Sequence, residues 1–158
     1  MSSNEHSIQR AALVAKLKSV AGIGVVFDYE RYAKDEKAFR ELYASGGKVL
    51  GWHIRRVARR ETAIFNEVSV TWEIRGFYGL ADGEASELAF DDLIDAIGDA
   101  FRADPTLSGV FMYPHDEDQP VPELVDSGPV VFAGVLCHSA RLRYKGRVVI
   151  ENAARPWD

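Results

Sequence analysis

The chain predicts an α+β fold: an antiparallel or mixed β-sheet with two to three α-helices packed mainly on one face. Three observations predict it. Val68, Val70, Trp72 and Ile74 alternate with Ser69, Thr71, Glu73 and Arg75, the two-residue period of a half-buried strand. Beyond Gly79, the apolar residues Phe90, Leu93, Ile94, Ile97 and Phe101 recur three or four apart, which is one face of a helix. Further strand-like and helix-like segments flank this pair and give the order α-β-α-β-β-α-β-β(-β), the last strand being optional.

Taken in order, the first helix is expected over about Ser7–Val20, capped by Asn4 or Ser7, with Leu13, Leu17 and Val20 on one side. Gly22 and Gly24 end it, and Val25–Phe27 forms a short strand. A second helix is expected over Ala33–Ala44. Tyr32, Glu36, Phe39 and Tyr43 share its face, and Ser45-Gly46-Gly47 stops it. Lys48–Val57 reads as a strand, with Leu50, Trp52 and Ile54 on one side and Gly51, His53 and Arg55 on the other. Ala58–Asn66 breaks the pattern and reads as a connection to the strand at Val68, mobile or used for contacts.

Asp82-Gly83 opens the long helix, with Asp82 or Ser86 as its N-cap, and Asp104-Pro105 closes it. Val110–Tyr113 reads as a short strand, His115–Val121 as a polar loop and Leu124-Val125 as a brief strand. Val130–Tyr144 reads as one long strand with Val130, Phe132, Leu136, Ala140, Leu142 and Tyr144 in one parity; Arg147–Glu151 extends the sheet. Residues 1–158 are expected to be a single domain, with 152–158 a flexible tail.

Composition narrows the function classes. Apolar residues at 47% and charged residues at 27% are the balance of a soluble globular chain. A net charge of −5 argues against a general nucleic-acid binder, which carries a basic excess. Cys137 is the only cysteine, so no intramolecular disulfide forms and a reducing compartment is the simpler expectation. The N-terminal segment has no signal-peptide run, and no apolar stretch reaches the roughly 18 residues of a membrane span. A cytosolic protein is expected.

Few residues offer chemistry. Gly22-Ile23-Gly24 precedes a strand instead of opening a helix, so it lacks the context of a phosphate loop. His115-Asp116-Glu117-Asp118 is the best candidate for a hard divalent cation, yet Pro114 and Pro120 flank it as they would an exposed turn. Cys137 and His138 are neighbours on a strand and point to opposite faces, so they cannot form a nucleophile–base pair with each other. Phe77, Tyr78 and Leu80 are expected to seal the end of the core. The densest basic cluster is Arg55, Arg56, Arg59 and Arg60, followed by Glu61. It suits a phosphate or an acidic partner surface. The long helix offers such a surface: Glu84, Glu87, Asp91, Asp95 and Asp99 fall opposite Phe90. The two sets meet either within one subunit or between neighbours in a ring, a heterologous contact.

The segment TWEIRGFYGLADGEASELAFDDLIDAIGDAFRADPTLSG, followed by GVLCHSARLRYKGRV, resembles small proteins encoded among the tail and neck genes of double-stranded DNA bacteriophages and prophages. The helix–strand order is similar to the tail-terminator fold. The likeness spans about Val20 to Arg147 and is one of pattern, without a catalytic motif. It implies a virion structural protein whose subunits close into a hexameric ring on the head-proximal end of the tail tube. The ring stops tube growth and meets the neck or connector proteins. It implies no cofactor and no catalysis, DNA that passes without specific binding, and no membrane. Two other readings stand beside it: a small metal-dependent enzyme or ligand-binding domain using the His115–Asp118 loop with His53 or His138, and a protein–protein adaptor unrelated to phage.

Overall fold

The computed structural model describes residues 5–63, 66–114 and 122–150. In chain order these form α1 (Glu5–Lys18), β1 (Val25–Phe27), α2 (Glu36–Leu42), β2 (Ala44–Ser45), β3 (Lys48–Glu61), β4 (Glu67–Gly79), a single 3-10 turn (Asp82–Glu84), α3 (Ser86–Ala103), β5 (Glu123–Phe132) and β6 (Val135–Val149). Among the described residues the strands make one six-stranded mixed sheet in the order β1-β3-β4-β6-β5, with β2 beside β3. β1 runs parallel to β3, and every other pairing is antiparallel. The fold is α+β, as the periodicities predict.

The helices divide unequally between the two faces. On the front face, Leu13 and Leu17 of α1 and Phe90, Ile94, Ile97 and Phe101 of α3 pack on Trp52, Ile54, Trp72, Ile74, Leu142 and Tyr144. Each such side chain, once buried, contributes about 1.5–3 kcal/mol. The two tryptophans also need partners for their N–H groups. Trp52 Nε1 donates to the Ile23 carbonyl at 2.9 Å, and Trp72 Nε1 donates to Gln9 Oε1 at 2.9 Å. Lys16 of α1 pairs with Asp104 at the end of α3 at 3.1 Å, tying the two front helices together. On the back face, α2 covers one end only. Phe39 and Tyr43 meet Val49, Phe77, Val135 and Cys137 in a smaller aromatic cluster. The rest of the back face carries no helix among the described residues.

Several expectations are corrected. The second helix starts at Glu36, not Ala33, because Asp35 takes the N-cap and accepts the Ala38 N–H at 2.9 Å. Tyr32 therefore lies outside the helix and is 85% exposed. Ala58–Glu61 is not a loop: β3 continues through it, paired to Val68–Thr71. A β-bulge at Val57 interrupts the alternation, and this irregularity is what disguised the strand. The connection shrinks to 62–66.

The long strand expected over Val130–Tyr144 is a hairpin. Ala133 and Gly134 turn the chain with φ of 51° and 83°, and Phe132 pairs with Val135. Two successive positive φ angles make the favoured two-residue hairpin turn. The shared parity breaks there: Val130 pairs with Cys137 on the back face, while Ala140, Leu142 and Tyr144 face the front. Residues 110–113 form no strand, although the Met112 N–H donates to the Arg147 carbonyl at 2.8 Å. Phe77 and Tyr78 do not seal one core together. As neighbours on β4 they enter the back and front clusters respectively.

Candidate functional site

The long helix presents its acidic side as expected. α3 buries Phe90, Ile94, Ile97 and Phe101 and leaves Glu87, Asp91, Asp95 and Asp99 exposed, with Glu84 in the preceding turn. Asp99 pairs with Arg102 one turn on. Glu87, Asp91 and Asp95 make no ion pair among the described residues. Neither expected N-cap holds. Ala85 occupies that position in a left-handed conformation without a side-chain cap. The Ser86 hydroxyl turns back instead, accepting the Ala81 N–H at 2.9 Å.

The arginine cluster does not form a loop tip. It runs along β3, and the pairing divides it between faces. Arg55 stands opposite Glu73 and Arg60 opposite Ser69 on the back; Arg56 stands opposite Trp72 and Arg59 opposite Val70 on the front. Arg59 is spoken for: it contacts Glu5 of α1 at 3.3 Å and Glu61 at 3.4 Å. Arg55 reaches Glu30 at 3.7 Å. No ion pair among the described residues joins any of the four arginines to α3, so the two charge sets do not meet within one subunit.

A second basic array went unread in the sequence. Arg141, Arg143, Lys145 and Arg147 occupy alternate positions of β6 and share the back face, opposite Arg75, Glu73, Thr71 and Ser69 of β4. The signal in ARLRYKGRV is a two-residue period of cations, interleaved with the residues Leu142, Tyr144 and Gly146 of the other parity.

Two histidines sit in defined contacts, one on each face. His53 is 2% exposed and shares a 3.0 Å hydrogen bond with the Tyr43 hydroxyl through Nδ1. Burial, then the charges of Arg75 and Arg55, push its pKa down to about 4, so the ring is neutral at pH 7. Burial raises Tyr43 to about 12. Arg75 pairs with His53 across the strands and lies over the rings of Phe77 and Phe132 at 4.9 and 5.4 Å. His53 Nε2 and Arg75 Nε are both buried without a hydrogen-bond partner.

On the front, His138 Nε2 shares a 2.7 Å hydrogen bond with Ser86 Oγ, and its ring stacks on Phe90. A serine beside an imidazole is the geometry of a nucleophile and its base. Ser86, however, is only 3% exposed, and no carboxylate orients His138 among the described residues. The contact fastens the corner between β4 and α3 to β6. Cys137 lies on the opposite face from His138, as expected, and burial raises its pKa to about 11.

The His115–Asp118 loop lies outside the described residues. Among the described residues no group of three or more His, Cys, Asp or Glu side chains could hold a metal ion. None of their helices is long and apolar enough to cross a membrane. Comparison of the chain with protein-family models and with curated proteins gives no match. The fold and its surfaces thus define an α+β protein with an acidic helix on one face of its sheet and a basic array on the other.

Proposed function

We propose that this protein is a structural subunit of a phage or prophage tail, tail-terminator-like, that assembles as a ring at the head-proximal end of the tail tube. There it ends tube growth and joins the tube to neck or connector proteins. It works by contact, without cofactor or turnover. Its place is the virion, after assembly in the host cytoplasm, and DNA passes through the ring without specific binding.

One observation carries this reading. The carboxylates of Glu87, Asp91 and Asp95 project from a rigid, well-packed helix, and nothing among the described residues neutralises them. Such a row of like charges costs stability in an isolated subunit. It gains a use when a basic surface of another chain meets it. The outer edge of the sheet adds support: among the described residues no strand pairs beyond β5. β5 ends the strand order with Leu124, Val125 and Val131 exposed, which is unfinished surface for a protein that works alone.

The test is electron microscopy and sedimentation of the purified chain, alone and with polymerised tube protein from the same genome. Closed rings in solution or on tube ends are expected. A monomer at every concentration that also ignores tube ends would overturn the proposal.

A further inference from the structure

We infer that the back of the sheet holds a binding site for a carboxylate, built on His53 and Arg75. The site lies on the opposite face from α3, and it stands or falls independently of the ring reading.

The sheet order brings its residues together. Phe27, His53, Arg75, Arg141 and Asp126 are successive register partners across β1, β3, β4, β6 and β5. Neighbours in such a row share one face, with Cβ atoms about 4.5–5.5 Å apart. His53 and Arg75 are the centre of the row, and both are incompletely bonded. His53 is 2% exposed and its Nε2 has no hydrogen-bond partner; Arg75 Nε is likewise buried and unpartnered. Few buried polar atoms stay in that state, because they have lost water and gained nothing.

What is missing is an acceptor. The Tyr43 hydroxyl keeps its proton at neutral pH, and its one hydrogen bond among the described residues is to His53 Nδ1 at 3.0 Å. It therefore donates to Nδ1, which places the ring proton on Nε2. Arg75 Nε carries a hydrogen as well. Two donors cannot serve each other, so an acceptor between them would complete both.

The surroundings call for a negative one. Arg55, two residues along β3, and Arg141, across on β6, are exposed cations next to the pair, and a ligand enters past them. Arg31 is close enough to act on Tyr43. Burial, then the charge of Arg141, opposes the charged form of Arg75, and Glu73 and Glu30 offset this. Glu30 also acts on Tyr43, yet its own ion pair is with Arg55 at 3.7 Å. It stands at the site as an internal competitor without reaching the two free donors.

The shape favours a carboxylate. The Arg75 guanidinium is held over the rings of Phe77 and Phe132, at 4.9 and 5.4 Å. A fixed guanidinium edge matches the two oxygens of a planar carboxylate, and His53 Nε2 can bond one of them. A doubly charged phosphate would lose more hydration on entering the same aromatic setting.

Nuclear magnetic resonance of the native chain tests this. The imidazole nitrogens of His53 are followed as acetate and benzoate are added, then phosphate and sulfate, at constant ionic strength. The carboxylates should shift Nε2 saturably. His53 should then titrate above its free value of about 4, because a nearby anion favours the imidazolium. Arg75→Lys keeps the charge but loses the fork, and it should bind at least about tenfold more weakly. Glu30→Gln removes the competitor and should bind more tightly. If no carboxylate moves Nε2, water serves the two donors and the inference fails. An equal response to phosphate and sulfate, or unchanged affinity in Arg75→Lys, would reduce the site to diffuse positive charge and overturn it. Should Arg75→Lys fail to fold, the native titration of His53 decides alone. Once binding is established, sedimentation with and without saturating acetate identifies the source. Acid that dissolves an assembly replaces a side-chain carboxylate of another chain; acid that binds without that effect stands for a free organic acid.

Discussion

Gln9 Oε1 accepts a 2.9 Å hydrogen bond from Trp72 Nε1, and the two side chains are 1% and 0% exposed. A buried amide in a helix is costly unless it is bonded, and here its partner is the central indole of the front core. Gln9→Met keeps the volume and strands the indole N–H. It should destabilise the fold by about 1–3 kcal/mol, measured by urea unfolding. An unchanged midpoint would mean that water takes the place of the amide.

His53 makes stability depend on pH. The unfolded chain protonates this residue near pH 6.5 and the folded chain only near pH 4, because burial beside Arg75 and Arg55 disfavours the imidazolium. The group's contribution is complete above pH 6.5 and is lost as pH falls towards 4. The loss should reach about 3 kcal/mol, an order-of-magnitude figure. Thermal unfolding of the native chain and of His53→Phe between neutral and acid pH checks it. The variant starts less stable, since Tyr43 loses its partner, but its stability should fall less steeply.

Cys137 should be inert in the folded state. Its thiol is fully buried and held well above its ordinary pKa, so almost no thiolate exists at neutral pH. Ellman's reagent should modify it only at the rate of unfolding. Fast labelling of native protein would place this strand nearer to solvent.

Arg59 bridges β3 to α1 through Glu5 at the surface. An exposed pair of this kind is worth about 0.2–1 kcal/mol and weakens in salt. Arg59→Ala and Glu5→Ala should each cost that little, and a double-mutant cycle should show coupling that disappears at high ionic strength. Neither change should alter assembly, because this arginine already has partners within its own subunit.

Gly76 lies under the Trp52 ring, and a Cβ at that position would overlap it. Gly76→Ala should therefore destabilise by about 1–3 kcal/mol through overpacking, against the usual gain from removing a strand glycine. Denaturant unfolding gives the sign directly; a stabilised variant would show that the indole moves aside freely.

Periodicity carried the reading of sequence wherever packing follows it. The β4 alternation and the α3 stripe are both present, with Leu93 only partly buried at the edge of the stripe, because each element has one face in the core. The reading failed where a single backbone conformation decides. Ala133 adopts a positive φ that alanine rarely takes, so the turn into Gly134 had no Asn-Gly signature to announce it. The site was half legible. The α3 carboxylates stand out in one dimension because helical spacing groups them. The partner contacts Tyr43–His53 and Ser86–His138 bridge residues far apart in sequence, and only strand register brings them together. The β6 cations were visible as letters, but assigning them to the face away from α1 and α3 required the sheet order.

The bulge at Val57 gives β3 one residue of slack. Because Val57 has no partner across the ladder, a single deletion between Arg56 and Glu61 can be absorbed by closing the bulge, at the cost of some local twist. The hairpin connection and every later pairing would keep their register. A deletion within the regular stretch of β4 has no such reserve, and it would turn the core residues beyond it towards solvent. Length variation among natural variants of this chain should therefore collect in the far half of β3 and spare β4.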